Sequence, residues 1–182
     1  MKNITNEKFG FVDEVEWVHR DKNGKVLKRY TSNTRWNRLL KKLHLKPKNC
    51  ITKYGMALVA GLILTDVGGT AFDYLGIGTG VTAATVNDDN LETQVGIRQA
   101  STGTRVSIAQ TNDTAKLTHQ FSKAEDATLT GEDDITEVAV FNASGVADNL
   151  LLNHIIFAAE TIDWDAADTF EISVKVQIKQ GV

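Results

Sequence analysis

One proline and one cysteine occur in the 182 residues of this chain. A lone thiol, Cys50, rules out an intramolecular disulfide, so stability must come from packing, from sheet hydrogen bonds and from neighbouring subunits. No thiolate-stabilising partner accompanies it at a recognisable spacing, and a quiet, partly buried thiol is expected. Scarce proline and only 14 glycines exclude collagen-like, mucin-like and proline-rich linker classes. Long hydrophobic runs are missing too. The longest, Met56 to Leu64, falls far short of the roughly 20 residues that span a bilayer. The opening Met1-Lys-Asn-Ile-Thr-Asn lacks the apolar core of a secretory leader. A soluble protein made in a reducing cytoplasm, without membrane association, is the expectation. There is no internal repeat and no low-complexity tract.

What is present is ordinary in bulk and uneven in detail. Hydrophobic residues make up 42% and charged residues 24%, as in a soluble domain able to bury a core. The net charge of −3 conceals a division. Residues 1–53 hold 14 Lys and Arg against 5 Asp and Glu, a net +9, and the remainder hold 6 against 18, a net −12. Such asymmetry bears on partners and not on fold. The basic residues lie on an amphipathic helical pattern and a hairpin, without interleaved exposed aromatics or a recognisable nucleic-acid module. An acidic surface, including that of an identical subunit, is therefore favoured over nucleic acid.

Along the chain, Phe11, Asp13, Val15 and Trp17 alternate with Val12, Glu14, Glu16 and Val18. The turn sequence Asp21-Lys-Asn-Gly24 then predicts a hairpin returning over Lys25 to Tyr30. Ser32-Asn33 reads as a helix cap before a stripe of Trp36, Leu39, Leu40 and Leu43, with Arg35, Arg38, Lys41 and Lys42 toward the other side and Pro47 as the stop. A second, more buried helix is expected over Lys53 to Leu64, with Met56, Val59, Ala60 and Ile63 on its inner stripe. From Gly68 onward the chain reads as strands: Phe72–Ile77, Leu91–Arg98, Thr104–Gln110, Ala115–Phe121, Ile135–Phe141, Leu150–Phe157 and Phe170–Ile178. The last alternates strictly and is the clearest. Short strands separated by turn signals predict a mainly β protein, an antiparallel, jelly-roll-like β-sandwich with one or two short helices near the N-terminal third. A single domain over 1–182 is expected, with the 1–32 hairpin and the 33–66 helical segment packed on, or extending from, a 67–182 β core.

Few residues suggest chemistry. Gly76-Ile-Gly-Thr-Gly80 lacks the Lys-Ser/Thr of a phosphate loop and a following helix, so a glycine-permitted turn or bulge is preferred. Acids cluster at Asp88-Asp89, Glu132-Asp133-Asp134 and Asp163/Asp165/Asp168. The third comes nearest to a Ca²⁺ loop but lacks the glycine and the distant glutamate of such loops, leaving turn formation and capping as the default reading. His19, His44, His119 and His154 have no metal-ligand spacing. His119 and His154 should be half-buried and hydrogen-bonded within strands. No serine elbow is present. Trp164, in an acidic segment, has two readings that stay open: an exposed interface anchor, or a plug for the end of the sandwich. An enzyme is not expected, and neither is a cofactor or a metal.

The order of segments resembles a family of small structural proteins of tailed bacteriophages. The resemblance is carried by the Asp21–Gly24 hairpin, by Ile51-Thr-Lys-Tyr-Gly-Met-Ala-Leu-Val-Ala-Gly-Leu62, and by Phe72-Asp-Tyr-Leu-Gly-Ile-Gly-Thr-Gly80. Leu91-Glu-Thr, Ile135-Thr-Glu-Val-Ala-Val-Phe-Asn142, Leu150-Leu-Leu-Asn-His-Ile-Ile-Phe157 and the final alternating strand complete it. These are packing motifs, so the resemblance implies a fold and a virion setting and assigns no site. It implies a capsid decoration (cement) protein made in the host bacterial cytoplasm. Such a protein would self-associate, as a trimer or another small ring, and bind the major capsid protein or another virion protein. A tail, baseplate or neck adaptor is the alternative, and a carbohydrate-binding module using Trp164 is a third. The strongly basic segment Arg35 to Lys48 departs from the family pattern, and the attachment point is not carried over. Charge alone nominates Arg35, Arg38, Lys41 and Lys42 for one contact surface and the loops at Asp88 and Asp133 for its complement.

Overall fold

The strand that closes the chain finds its partner at the far end of the sequence. The computed structural model describes residues 9–32, 50–63, 70–108, 110–111, 113–145 and 151–180. In it, β1 (Phe9–Arg20) pairs antiparallel with β10 (Thr169–Gln180) along its whole length. The register sets Val15 opposite Val174 and Trp17 opposite Ile172. Side chains alternate across a pleated strand, so these four share the inner face, and all four are buried. Their outward neighbours form a polar face where the Lys175 ammonium lies 2.8 Å from Glu16 and 3.6 Å from Glu14.

The hairpin from β1 to β2 (Val26–Thr31) turns on Asp21, whose Oδ1 accepts from the amides of Asn23 and Lys25. Gly24 supplies the left-handed conformation there, at φ 77°. The first sheet runs β2-β1-β10-β7-β6, with β6 (Thr102–Val106) and β7 (Thr114–Ser122) completing it. The second runs β3-β9-β8-β4-β5, from β3 (Cys50–Ile51), β9 (Leu151–Asp163), β8 (Glu132–Phe141), β4 (Tyr74–Gly78) and β5 (Gln94–Ala100). Every ladder in both is antiparallel. The protein is therefore a mainly β antiparallel sandwich with one short helix among the described residues, and β1 lies inside its first sheet.

Several strand bounds differ from expectation, three of them for identifiable local reasons. The Asp113 carboxylate draws the amides of Ile108 and Gln110 into a turn, so β6 stops at Val106. Leu91 leaves the strand to pack on the outside of the second sheet with Ala139, Phe141 and Leu151, so β5 starts at Gln94. β9 continues past Phe157 to Asp163 after a bulge opposite Ile135–Glu137.

The helix α1 (Lys53–Ile63) is capped by Thr52, whose hydroxyl accepts from the Gly55 amide and donates to the Leu151 carbonyl. Its orientation corrects the predicted stripe. A Cβ on Gly55 would sit 2.4 Å from the Leu152 carbonyl oxygen. Glycine thus seats the helix on β9 and turns Val59 and Leu62 toward the gap between the sheets. Met56 and Ile63 are left exposed at 47% and 74%, and Leu62 is still 45% exposed at the groove mouth. Gly55 is the one buried residue of a helix expected to be more deeply covered. The other predicted helix, over Asn33 to Lys48, lies outside the described residues.

The two ends of the sandwich differ. At one, Trp164 is fully buried beyond the last residue of β9. Its indole donates to Asp133 (2.8 Å) and its amide to the Gly131 carbonyl (2.9 Å). Trp17 continues the seal, stacked on Tyr30 and 5.5 Å from the Phe170 ring. At the other end an apolar groove of about 540 Å³ stays open beneath α1.

Candidate functional site

The loop 79–93 covers the outer face of the second sheet, and its anchor begins with the glycines. Gly78 pairs with Glu137 across the β4–β8 ladder. A Cβ on Gly78 would come within 2.4 Å of the Glu137 carboxylate and of the Thr93 carbonyl, and one on Gly80 within 2.6 Å of the same carboxylate. The G-x-G-x-G run thus makes room for an acid of its own chain, where a phosphate loop would have cradled a ligand. Glu137 has no exposed surface. It accepts from the amides of Gly80 (3.0 Å), Thr93 (2.9 Å) and Glu92 (3.1 Å). Its Oε2 lies 2.8 Å from His154 Nε2, and His154 Nδ1 lies 2.6 Å from Asp88.

Carboxylates on both ring nitrogens can only accept, so this geometry calls for a doubly protonated imidazolium. Burial by itself pushes the His154 pKa down, but the hydrogen bonds and charges of Glu137 and Asp88 outweigh it and hold the group above its ordinary value. Burial likewise raises Glu137, and His154 with the three amides more than reverses it, leaving the carboxyl below its usual range. Asp88 is also lowered against its burial, by Thr85 and His154. A third acid, Glu92, accepts from the amides of Val81 and Thr82 and from the Thr82 hydroxyl. The Val86 carbonyl accepts from the Lys53 amide and ties the loop to the start of α1. Fixed in this way, the loop still exposes Val81 (73%) and Val86 (49%).

The first sheet has a related cluster near the sealed end. His19 lies 2.9 Å from Glu160 through Nδ1 and 2.9 Å from Asp168 through Nε2, and Lys28 reaches the other oxygen of Glu160. Both histidines are nearly buried and have each ring nitrogen within 2.9 Å of a carboxylate oxygen of this same chain. Cys50 is quiet. Burial, then the charges of Asp88 and Asp13, raise its pKa and disfavour the thiolate.

The residues nominated from sequence fare unevenly. Arg35, Arg38, Lys41 and Lys42 lie outside the described residues. Asp88 turns inward to His154 and Thr85, so it is not a free surface charge. Asp133 holds the Trp164 indole. Trp164 itself is the plug and not an exposed anchor, and the carbohydrate-binding reading loses the aromatic it rested on. The Asp163/Asp165/Asp168 run disperses. Asp163 caps the Ala166 amide, Asp165 pairs with Lys123, and Asp168 meets His19. Among the described residues no three His, Cys, Asp or Glu side chains gather for a metal, and no helix is long and apolar enough to cross a membrane.

Comparison with known proteins adds no relative. No family model, curated protein or solved structure matches the chain. The segments on which the expected resemblance rests form the turn between β1 and β2, all but the last residue of α1, β4, the end of the loop 79–93, β8, the first half of β9, and β10.

Sequence reasoning missed Glu137, His154, His19, Glu160 and Asp168 as clusters. The signal for the first existed: three alternating glycines leave one side of a strand empty, and an acid on a neighbouring apolar strand can fill it.

Proposed function

We propose that this protein is a virion structural component of a tailed phage, a decoration protein that binds copies of itself and the capsid shell. One observation carries the reading. The loop 79–93 is fixed by three carboxylates and by the helix, yet it presents Val81 and Val86 to solvent. Apolar side chains on a pre-ordered loop lose little conformational freedom on docking, which suits a contact surface. The buried histidines and acids support binding over catalysis, because their polar atoms are already engaged inside the fold. Contacts made only in the assembled shell would stabilise it by mass action.

The test is quantitative incorporation into purified particles. Copy number should match the capsid subunits, and Val81→Asp with Val86→Asp should abolish incorporation while leaving the isolated fold intact. A copy number matching the tail's symmetry would assign the protein to the tail or neck, and unchanged incorporation of the double variant would refute the loop as the contact.

A further inference from the structure

The groove at the unsealed end is bounded by a strand edge that no other described strand pairs with. Leu117 and Val174 of the first sheet face Val140 and Leu152 of the second, with Val59 and Phe72 above. Its volume of about 540 Å³ lies within the range of formed ligand sites. One side of its mouth is β6, the last strand of the first sheet, and Thr102 to Arg105 are all exposed. Such an edge is a ready template for another strand.

Register places what the edge offers. Gly103 pairs with Leu117 and Arg105 with Ala115. Leu117 packs toward the core, so Gly103 and Arg105 share the groove side of the sheet. A Cβ on Gly103 would meet only Leu117 Cδ2, at 3.6 Å. The glycine therefore leaves a passage from the edge into the groove. Arg105 stands beside that passage and has no carboxylate partner among the described residues.

We propose that β6 receives an extended segment of a partner virion protein by strand addition, its apolar side chains entering the groove past Gly103 and an acidic residue meeting Arg105. The assignment of the partner to the virion rests on the function proposed above. The edge supplies main-chain hydrogen bonds, and the groove and Arg105 supply the selection. A lipid-like acid would use the groove but leave the edge unused. A second copy has its alternating apolar strands β1, β7 and β10 already committed to its own core.

The experiment is amide NMR of the full chain titrated with a capped heptapeptide of alternating Val and Thr carrying one Asp. Saturable shifts and slowed exchange at Thr102–Val106 are expected. Gly103→Val should fold with an unchanged thermal midpoint and weaken binding by about tenfold or more, and Arg105→Glu should do the same for the Asp peptide while improving binding of its Lys counterpart. No shift at β6, or equal binding of a peptide with a central proline, overturns the proposal. So does decanoate binding in the groove without peptide binding, or protection of the β6 amides that disappears on dilution of the protein alone. Gly103→Val that loses the peptide yet loads normally onto particles sinks strand addition and leaves the decoration reading standing. A wild-type protein that binds the peptide but is missing from particles removes the virion partner and that reading together.

Discussion

The two ends of the sandwich are built on opposite terms. At the Trp164 end several polar atoms are answered from within, the Trp164 indole by Asp133 and His19 by Glu160 and Asp168. The buried Trp17 Nε1, however, finds no partner among the described residues. Aromatic rings fill the remaining space. At the other end the sheets part around an apolar groove, and the edge strand β6 has no further strand beside it among the described residues. The difference separates an end closed by its own side chains from one that leaves an apolar groove and a strand edge open.

Truncating aromatics at the two ends should expose that difference most plainly. Phe170→Ala removes a fully buried ring at the sealed end and should cost about 3–5 kcal/mol in urea unfolding. Phe72→Ala, half-buried on an existing groove, should cost about 1–2 kcal/mol, because less surface returns to water. Equal costs would erase the comparison. Glu137→Ala, midway along β8, asks whether polar anchoring matters beyond the sealed end. It strands His154 and three amides and should cost about 3–5 kcal/mol, with loop 79–93 becoming cleavable by protease.

A smaller effect should appear in the pH profile. His154 has a raised pKa, so its contribution is complete below the ordinary 6.5 and is lost as pH rises through its folded value. Glu137 and Asp88 are lowered, so theirs is complete above the ordinary 4.5 and 3.8 and is lost as pH falls through their folded values. The thermal midpoint should be highest between those limits, and His154→Gln should remove the alkaline decline that His154 causes. The smallest change expected is at the sealed end. Ala167 holds φ 63°, and Ala167→Gly should raise stability by up to about 1 kcal/mol.

Much of this architecture was legible and its polar interior was not. The alternation of Phe170 to Ile178 declared a strand because one face is apolar at every second position. The partner of that strand was invisible, since pairing Val174 with Val15 is a long-range choice that local pattern does not encode. Glu137 reads as an outward polar residue, and it does point outward; the loop that buries it comes from elsewhere in the chain. Helix α1 was found, but its facing was misjudged because Gly55 contributes through the side chain it lacks. Trp164 stayed open between anchor and plug because the aspartate that satisfies its indole, Asp133, lies 31 residues earlier on β8 and not among its acidic neighbours.

The β1–β10 ladder has a mechanical corollary. Phe9 stands opposite Gln180 at the groove end, so tension applied through those two points would peel the pair apart one rung after another. A load entering at Phe9 and leaving at Thr169 would instead strain all the rungs together, and the ladder would resist far greater force. Where this protein is gripped therefore decides how hard it is to tear.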